Sequence, residues 1–271
     1  MLCCAHVAIS VVKSLPVADG ARAVGLACLG DELFVLRDRW FSQIEVYSTK
    51  SAEYYRLRQF SIKGLNTHAC NDMTSCARHR CLYVSDWTNK CVHKSKHDGV
   101  KVASWYMFDH PYGLSLTPQN SLLVTCHDSR KLLELSTANG ECIRQVELHS
   151  DIQRPWHALQ LANQLYVVAH DEDQLSRVCV VNAGGHASLS YGGHLGSDVT
   201  KFNLPCHVTV DISDFIFVAD RNNQRVTLLS PGLELIRHIE LNQKPWRLYL
   251  DRMARRLYVS HTDSDVTVVQ V

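Results

Sequence analysis

Ile216-Phe217-Val218-Ala219-Asp220, Leu82-Tyr83-Val84-Ser85-Asp86, Leu165-Tyr166-Val167-Val168-Ala169 and Leu257-Tyr258-Val259-Ser260-His261 are one five-residue pattern written four times. Two looser copies, Leu33-Phe34-Val35-Leu36-Arg37 and Leu122-Leu123-Val124-Thr125-Cys126, put the first residues of the set at 33, 82, 122, 165, 216 and 257. Short runs rich in β-branched and aromatic residues read as strands. A recurrence every 40 to 50 residues or so makes each strand part of one propeller blade. The pattern therefore predicts an all-β, six-bladed β-propeller of four-stranded antiparallel blades.

Other landmarks fill in the blade. Pro111, Pro155, Pro205 and Pro245 precede the strand pattern, and proline, with fixed φ and no N–H, suits the entry of a strand. Alternating stretches follow, as in His207-Val208-Thr209-Val210. Gly99, Gly140, Gly184 with Gly185, and Gly232 lie downstream, where a turn between the third and fourth strands needs positive φ. Fourth strands are expected at 142–148 and 235–241, and 192–197 reads as a loop insertion. The last blade runs out after a third strand at 266–271. His6–Val12 reads as its fourth strand, closing the ring and removing two sheet edges. One domain over 1–271 is expected, with blades near 21–66, 67–110, 111–154, 155–203, 204–243, and 244–271 plus 6–12.

Composition narrows the function. Net charge is +1 over 271 residues, which is no basic nucleic-acid arm, and DNA is not an expected partner. No apolar run reaches the ~18 residues of a membrane span. Eleven cysteines, an odd number scattered over most blades, read as reduced thiols and favour a cytoplasmic protein. Cys76 and Cys81 flank a short connection and could face each other as one disulfide. A zinc site among Cys70, Cys76, Cys81 and Cys91 is disfavoured, because the spacings lack a CxxC knuckle.

Ile216 through Val226, with Asp220-Arg221-Asn222-Asn223-Gln224-Arg225 at its centre, resembles the core of an NHL repeat, and Leu82 through Val92 is a second match. The other four blades keep the spacing but place Arg37, Cys126, Ala169 and His261 where the signature has aspartate. The resemblance implies an NHL-type propeller like the C-terminal module of TRIM-NHL ubiquitin ligases, which binds protein or RNA. Similar propellers also serve as zinc-dependent amidating lyases and calcium-dependent lactonases.

In such propellers the first strand of each blade lines the channel, and the position two after the proline lies near its mouth. That position holds Gly25, Asp72, Gly113, His157, His207 and Arg247. Pro155-Trp156-His157 and Pro205-Cys206-His207 are similar to the lyase Pro-x-His, so a metal set of His157, His207 and Asp72 is the enzyme alternative. Against it, the two histidines fall on neighbouring blades, and an arginine in the ring repels a cation. The bland alternative is polar groups bonding the backbones of neighbouring blades, with Asp86 and Asp220 doing similar work at strand ends. Tyr112, Arg130, Lys131, Trp156, Arg221, Arg225 and Trp246 are candidate rim contacts. Acidic loops interleave with these basic residues, which suits a protein partner better than RNA. The expectation is a non-catalytic interaction scaffold with no cofactor and no metal. The alternative is a metal-dependent, lyase-like or lactonase-like enzyme working at the channel mouth.

Overall fold

A computed structural model describes residues 10–15, 21–38, 43–51, 53–62, 65, 70–262 and 265–271. The first strand, β1 (Ser10–Leu15), belongs to the last blade. Blade 1 is β2 (Arg22–Leu29), β3 (Glu32–Asp38), β4 (Gln43–Ser48) and β5 (Arg56–Phe60). Blade 2 is β6 (Cys70–Cys76), β7 (Cys81–Asp86), β8 (Cys91–Lys96) and β9 (Lys101–Tyr106). Blade 3 is β10 (Pro111–Leu116), β11 (Leu122–Cys126), β12 (Lys131–Leu135) and β13 (Cys142–Glu147). Blade 4 is β14 (Pro155–Gln160), β15 (Tyr166–Glu172), β16 (Leu175–Val181) and β17 (Ala187–His194). Blade 5 is β18 (Pro205–Val210), β19 (Ile216–Asp220), β20 (Arg225–Leu229) and β21 (Leu235–Glu240). Blade 6 is β22 (Pro245–Asp251), β23 (Arg256–His261) and β24 (Val266–Gln270), with β1 antiparallel on its outer edge.

The repeated pattern is the second strand of every blade, and it is buried except for Leu165, which is half-buried and precedes β15. Both faces of this strand meet a neighbouring blade, so it reads as a nearly continuous apolar run rather than as an alternation. Val167, Val178, Val208, Ile216 and Val218 form the core between blades 4 and 5. Leu15, Ala23, Leu26, Val35 and Tyr258 form the core between blades 6 and 1, so apolar packing itself closes the ring. Each fully buried valine, leucine or isoleucine among them contributes about 1.5–3 kcal/mol.

Three details differ from the sequence reading. Among the described residues the closing strand is Ser10–Leu15, three residues longer at its end than the expected His6–Val12; His6–Ile9 lie outside the described residues. Gly192–His194 belong to β17, because the strands of blade 4 are long: Leu175 pairs with His194 and with Glu172. At the turn after β20 it is Leu233 that takes positive φ (59°), not Gly232, whereas Gly99, Gly140 and Gly185 take it as expected. Gly185 is tightly constrained, since a Cβ there would stand 1.8 Å from the Glu147 carbonyl oxygen.

Cys76 and Cys81 do oppose each other across β6 and β7, but both are free thiols. The Cys81 thiol is 3.2 Å from the His79 carbonyl oxygen, and the Cys76 sulfur is 3.7 Å from His79 Nδ1.

Candidate functional site at the channel mouth

Every blade has a register shift just after the entry of its first strand: Ala23/Gly25, Cys70/Asp72, Pro111/Gly113, Pro155/His157, Pro205/His207 and Pro245/Leu248. A bulge adds a residue to one strand and re-aims its side chain. Here it points the residue two past the entry into the channel. The N–H groups freed from the ladder find serines: Asp72 N donates to Ser85 Oγ (3.0 Å) and Arg247 N to Ser260 Oγ (3.0 Å). The serine of the repeated pattern thus supports the bulge in blades 2 and 6.

The four polar residues of the ring meet at one point. Asp72 Oδ1 lies 3.3 Å from Arg247 Nε, and Asp72 Oδ2 lies 3.6 Å from His207 Nε2 and 3.7 Å from His157 Nε2. The same carboxylate accepts from Met73 N and Leu114 N, each at 2.9 Å. His157 Nε2 donates to the Leu114 carbonyl (3.2 Å), and its ring stacks on that of His207 at 3.7 Å between centroids. Arg247 donates through Nε and Nη2 to the Asn71 carbonyl and through Nη1 to that of Trp246. Gly25 and Gly113 complete the ring where no side chain fits: a Cβ on Gly113 would lie 2.7 Å from the Trp156 carbonyl oxygen.

The cluster is buried, and burial alone would raise the Asp72 carboxyl. Arg247 and the two histidines outweigh burial and hold it at about 2. Burial lowers both histidines, and His157 is driven further down by the neighbouring His207. The centre is therefore a carboxylate–guanidinium pair flanked by neutral imidazoles.

Asp72, His157 and His207 bring three donor atoms close together. They do not fit a divalent cation as arranged. Arg247 Nε stands 3.3 Å from Asp72 Oδ1, so a fixed positive charge already neutralises this carboxylate and repels a cation.

Above this plug the rim residues form an aromatic floor. Trp156 makes edge contacts with Trp246 (5.8 Å) and Tyr112 (5.1 Å). Arg247 lies over the Trp246 ring at 4.4 Å and Arg221 over the same ring at 5.2 Å. A cavity of about 220 Å³ opens here, lined by Arg22, Asp38, Asn71, Tyr112, Arg221 and Trp246 among others. On the other side of the plug, the channel is a cavity of about 690 Å³ bordered by His157 and His207 and, at its far end, by Asp211, Asp251 and Arg252.

Not all the expected rim residues gather at this mouth. Arg225 is buried (6% exposed). It pairs with Asp220 at 2.8 Å and donates to the carbonyls of Asp198 and Lys201, tying down the link between blades 4 and 5. Arg130 takes positive φ in the turn between β11 and β12, and Lys131 starts β12; neither lines the mouth cavity. Sequence reasoning missed His127, whose ring stacks on Tyr112 at 5.2 Å and meets the edge of Trp156 at 5.2 Å. It also missed Asn71, whose carbonyl anchors Arg247. His127 and Arg221 each sit one residue past the repeated strand pattern, and that alignment was a usable signal.

No protein-family model matches the chain, and no curated protein matches it. The NHL resemblance thus rests on the residues quoted for it. Solved structures do match in fold. Hydrazine synthase of Kuenenia stuttgartiensis is 12% identical with a TM-score of 0.69, covering 94% of this chain and 97% of that one. A catalytically inactive virginiamycin B lyase from Staphylococcus aureus with quinupristin is 9% identical with a TM-score of 0.68, covering 97% and 100%. A streptogramin B lyase is 9% identical with a TM-score of 0.66, covering 96% and 97%. At such identities the likeness speaks to the propeller fold alone.

Proposed function

We propose that the chain is a non-catalytic interaction module that receives a protein partner at the channel mouth, as the propeller of TRIM-NHL ligases does. One observation carries this reading: the mouth cavity combines an aromatic floor with an arginine that has donors to spare. Among the described residues, Arg221 Nε is buried without a hydrogen-bond partner and Nη1 reaches only the neighbouring Asn222 side chain, at 3.5 Å. A guanidinium held over an indole is suited to a carboxylate flanked by flat or apolar groups. The cavity's size fits one or two side chains of an acidic, aromatic-bearing segment, and such anchors dominate protein interfaces.

The phenol, thiol and carboxylate buried at or beneath the mouth are shifted away from neutral pH. Burial pushes Tyr112 up to about 12 and Cys206 up to about 12, while Asp72 is held at about 2. A catalytic acid or base works best with a pKa near the working pH. Burial also pushes the Cys91 and Cys179 thiols up to about 11, which leaves them protonated and poor nucleophiles. Among the described residues, no helix is long and apolar enough to cross a membrane.

The test is a random-peptide display selection on the purified chain, run beside a random RNA pool. Enriched peptides with a carboxylate next to an aromatic residue, lost on Arg221→Glu and on Trp246→Ala, are expected. Enrichment of RNA instead, or peptide binding indifferent to both substitutions, would overturn the reading.

A further inference from the structure

Blades 2 and 5 carry the same local design with one exchange. In blade 5, Asp220 ends β19 and is fully buried; Asn223 donates to it at 2.8 Å, and Arg225, its partner across β20, supplies the positive charge at 2.8 Å. In blade 2, Asp86 ends β7 and is likewise fully buried, and Asn89 donates to it through its backbone N–H (2.9 Å) and side chain (2.8 Å). The position matching Arg225 is Cys91, and the position matching Thr227 is His93. A buried carboxylate needs a compensating cation, and at this point blade 2 offers a thiol and an imidazole instead of a guanidinium.

We propose that Asp86, Cys91 and His93 form a structural zinc site. Cys91 and His93 are two apart on β8 and so share a face, with Asp86 beside them on β7. His93 Nε2 lies 3.1 Å from Asp86 Oδ2 and 3.4 Å from Cys91 Sγ, and all three donor atoms fall within 4.8 Å of one another. With metal–ligand bonds of about 2.0–2.3 Å, the edges of a tetrahedral zinc site are about 3.2–3.6 Å. The donors therefore sit close to coordinating positions, and small side-chain movements complete the geometry.

The surroundings orient the ligands as a metal centre requires. His93 Nδ1 meets Ser104 Oγ at 2.8 Å, which leaves Nε2 for the ion. The two Asn89 bonds fix the Asp86 carboxylate. Cys70 is the register partner of Asp86 but its sulfur is outside the cluster of donor atoms, so the fourth position falls to a water. Thiolate, imidazole and carboxylate together suit zinc. Binding releases the Cys91 proton and neutralises the Asp86 charge inside the blade, as Arg225 does for Asp220.

The experiment uses the full chain expressed in zinc-supplemented medium. Metal content is measured after exhaustive dialysis, and Co²⁺ is then titrated into chelator-stripped protein. Stoichiometric zinc and a sulfur-to-cobalt charge-transfer band are expected. Both are lost on Cys91→Ser and kept on His207→Ala, which probes the channel cluster. The double substitution Cys91→Arg, His93→Thr rebuilds the blade 5 arrangement; it is expected to keep the wild-type circular dichroism and to carry no zinc. Wild-type protein without zinc and without the cobalt band would overturn the proposal. So would a metal signal that survives Cys91→Ser and disappears with His207→Ala.

Discussion

Arg247 Nε lies 3.3 Å from Asp72 Oδ1, joining blade 6 to blade 2 across the channel, although these blades are not neighbours in the ring. Both side chains are 1% exposed. Removing one partner of such a pair strands the other charge in the interior, which costs about 3–5 kcal/mol. Arg247→Met is therefore expected to lower the unfolding free energy by about that amount in urea. Asp72→Asn with Arg247→Met should recover part of the loss. A double mutant no more stable than Arg247→Met alone would mean that the pair is not the central cross-link.

Acid should weaken the fold through its buried histidines. His170 is buried in blade 4 with its Nε2 3.6 Å from Cys179 Sγ, and burial, aided by Arg177, lowers it to about 4. His157 and His207 are lowered too, with burial the main cause. Each binds a proton more readily in the unfolded chain, so their stabilisation is full above the ordinary histidine pKa and is lost as pH falls toward the folded value. Between about pH 6.5 and 4, His170 alone is worth on the order of 3 kcal/mol. Denaturant midpoints at pH 7.5, 6 and 5 should fall in that order. Asp72, held at about 2, keeps its stabilisation until far lower pH. A midpoint constant across this range would refute the assignment of buried neutral histidines.

Much of this was legible in the chain. The repeated second strand and the proline entries fixed blade number and order, because a strand packed on both faces leaves a plain apolar signature. Counting two from each strand entry also found Asp72, His157, His207 and Arg247. Their convergence depends on six bulges, and a bulge leaves no consistent residue signature. Arg225 looked like surface charge because its partners, Asp220 and the carbonyls of Asp198 and Lys201, meet it only after folding. The Asp86, Cys91 and His93 cluster escaped a search for CxxC because its ligands come from adjacent strands, where spacing along the chain says little.

Gly113 should not tolerate a side chain. A Cβ there would lie 2.7 Å from the Trp156 carbonyl oxygen and 2.9 Å from His157 Cα, and backbone cannot swing aside as a side chain can. Gly113→Ala is expected to cost about 1–3 kcal/mol through overpacking. It should also move the stacked imidazoles of His157 and His207, so their ring proton resonances should shift. A substitution neutral in stability and silent in those resonances would show that blades 3 and 4 are less tightly apposed than this geometry requires.

The last blade depends on a strand from the other end of the chain. Ser10 pairs with Gln270 and Leu15 with Val266, while Leu15 itself is fully buried against blades 6 and 1. Deleting residues 1–15 leaves β24 an uncovered edge, with unpaired N–H and C=O groups and an apolar gap beneath. Such an edge recruits a strand from another chain. Loss of Leu15 burial alone, at about 1.5–3 kcal/mol, should lower Tm by about 5 °C or more. The truncated chain should sediment as a concentration-dependent dimer or larger species, while the full chain stays of one size under the same conditions. If the truncated chain remained monomeric with an unchanged Tm, β24 would have to be covered by some element other than β1.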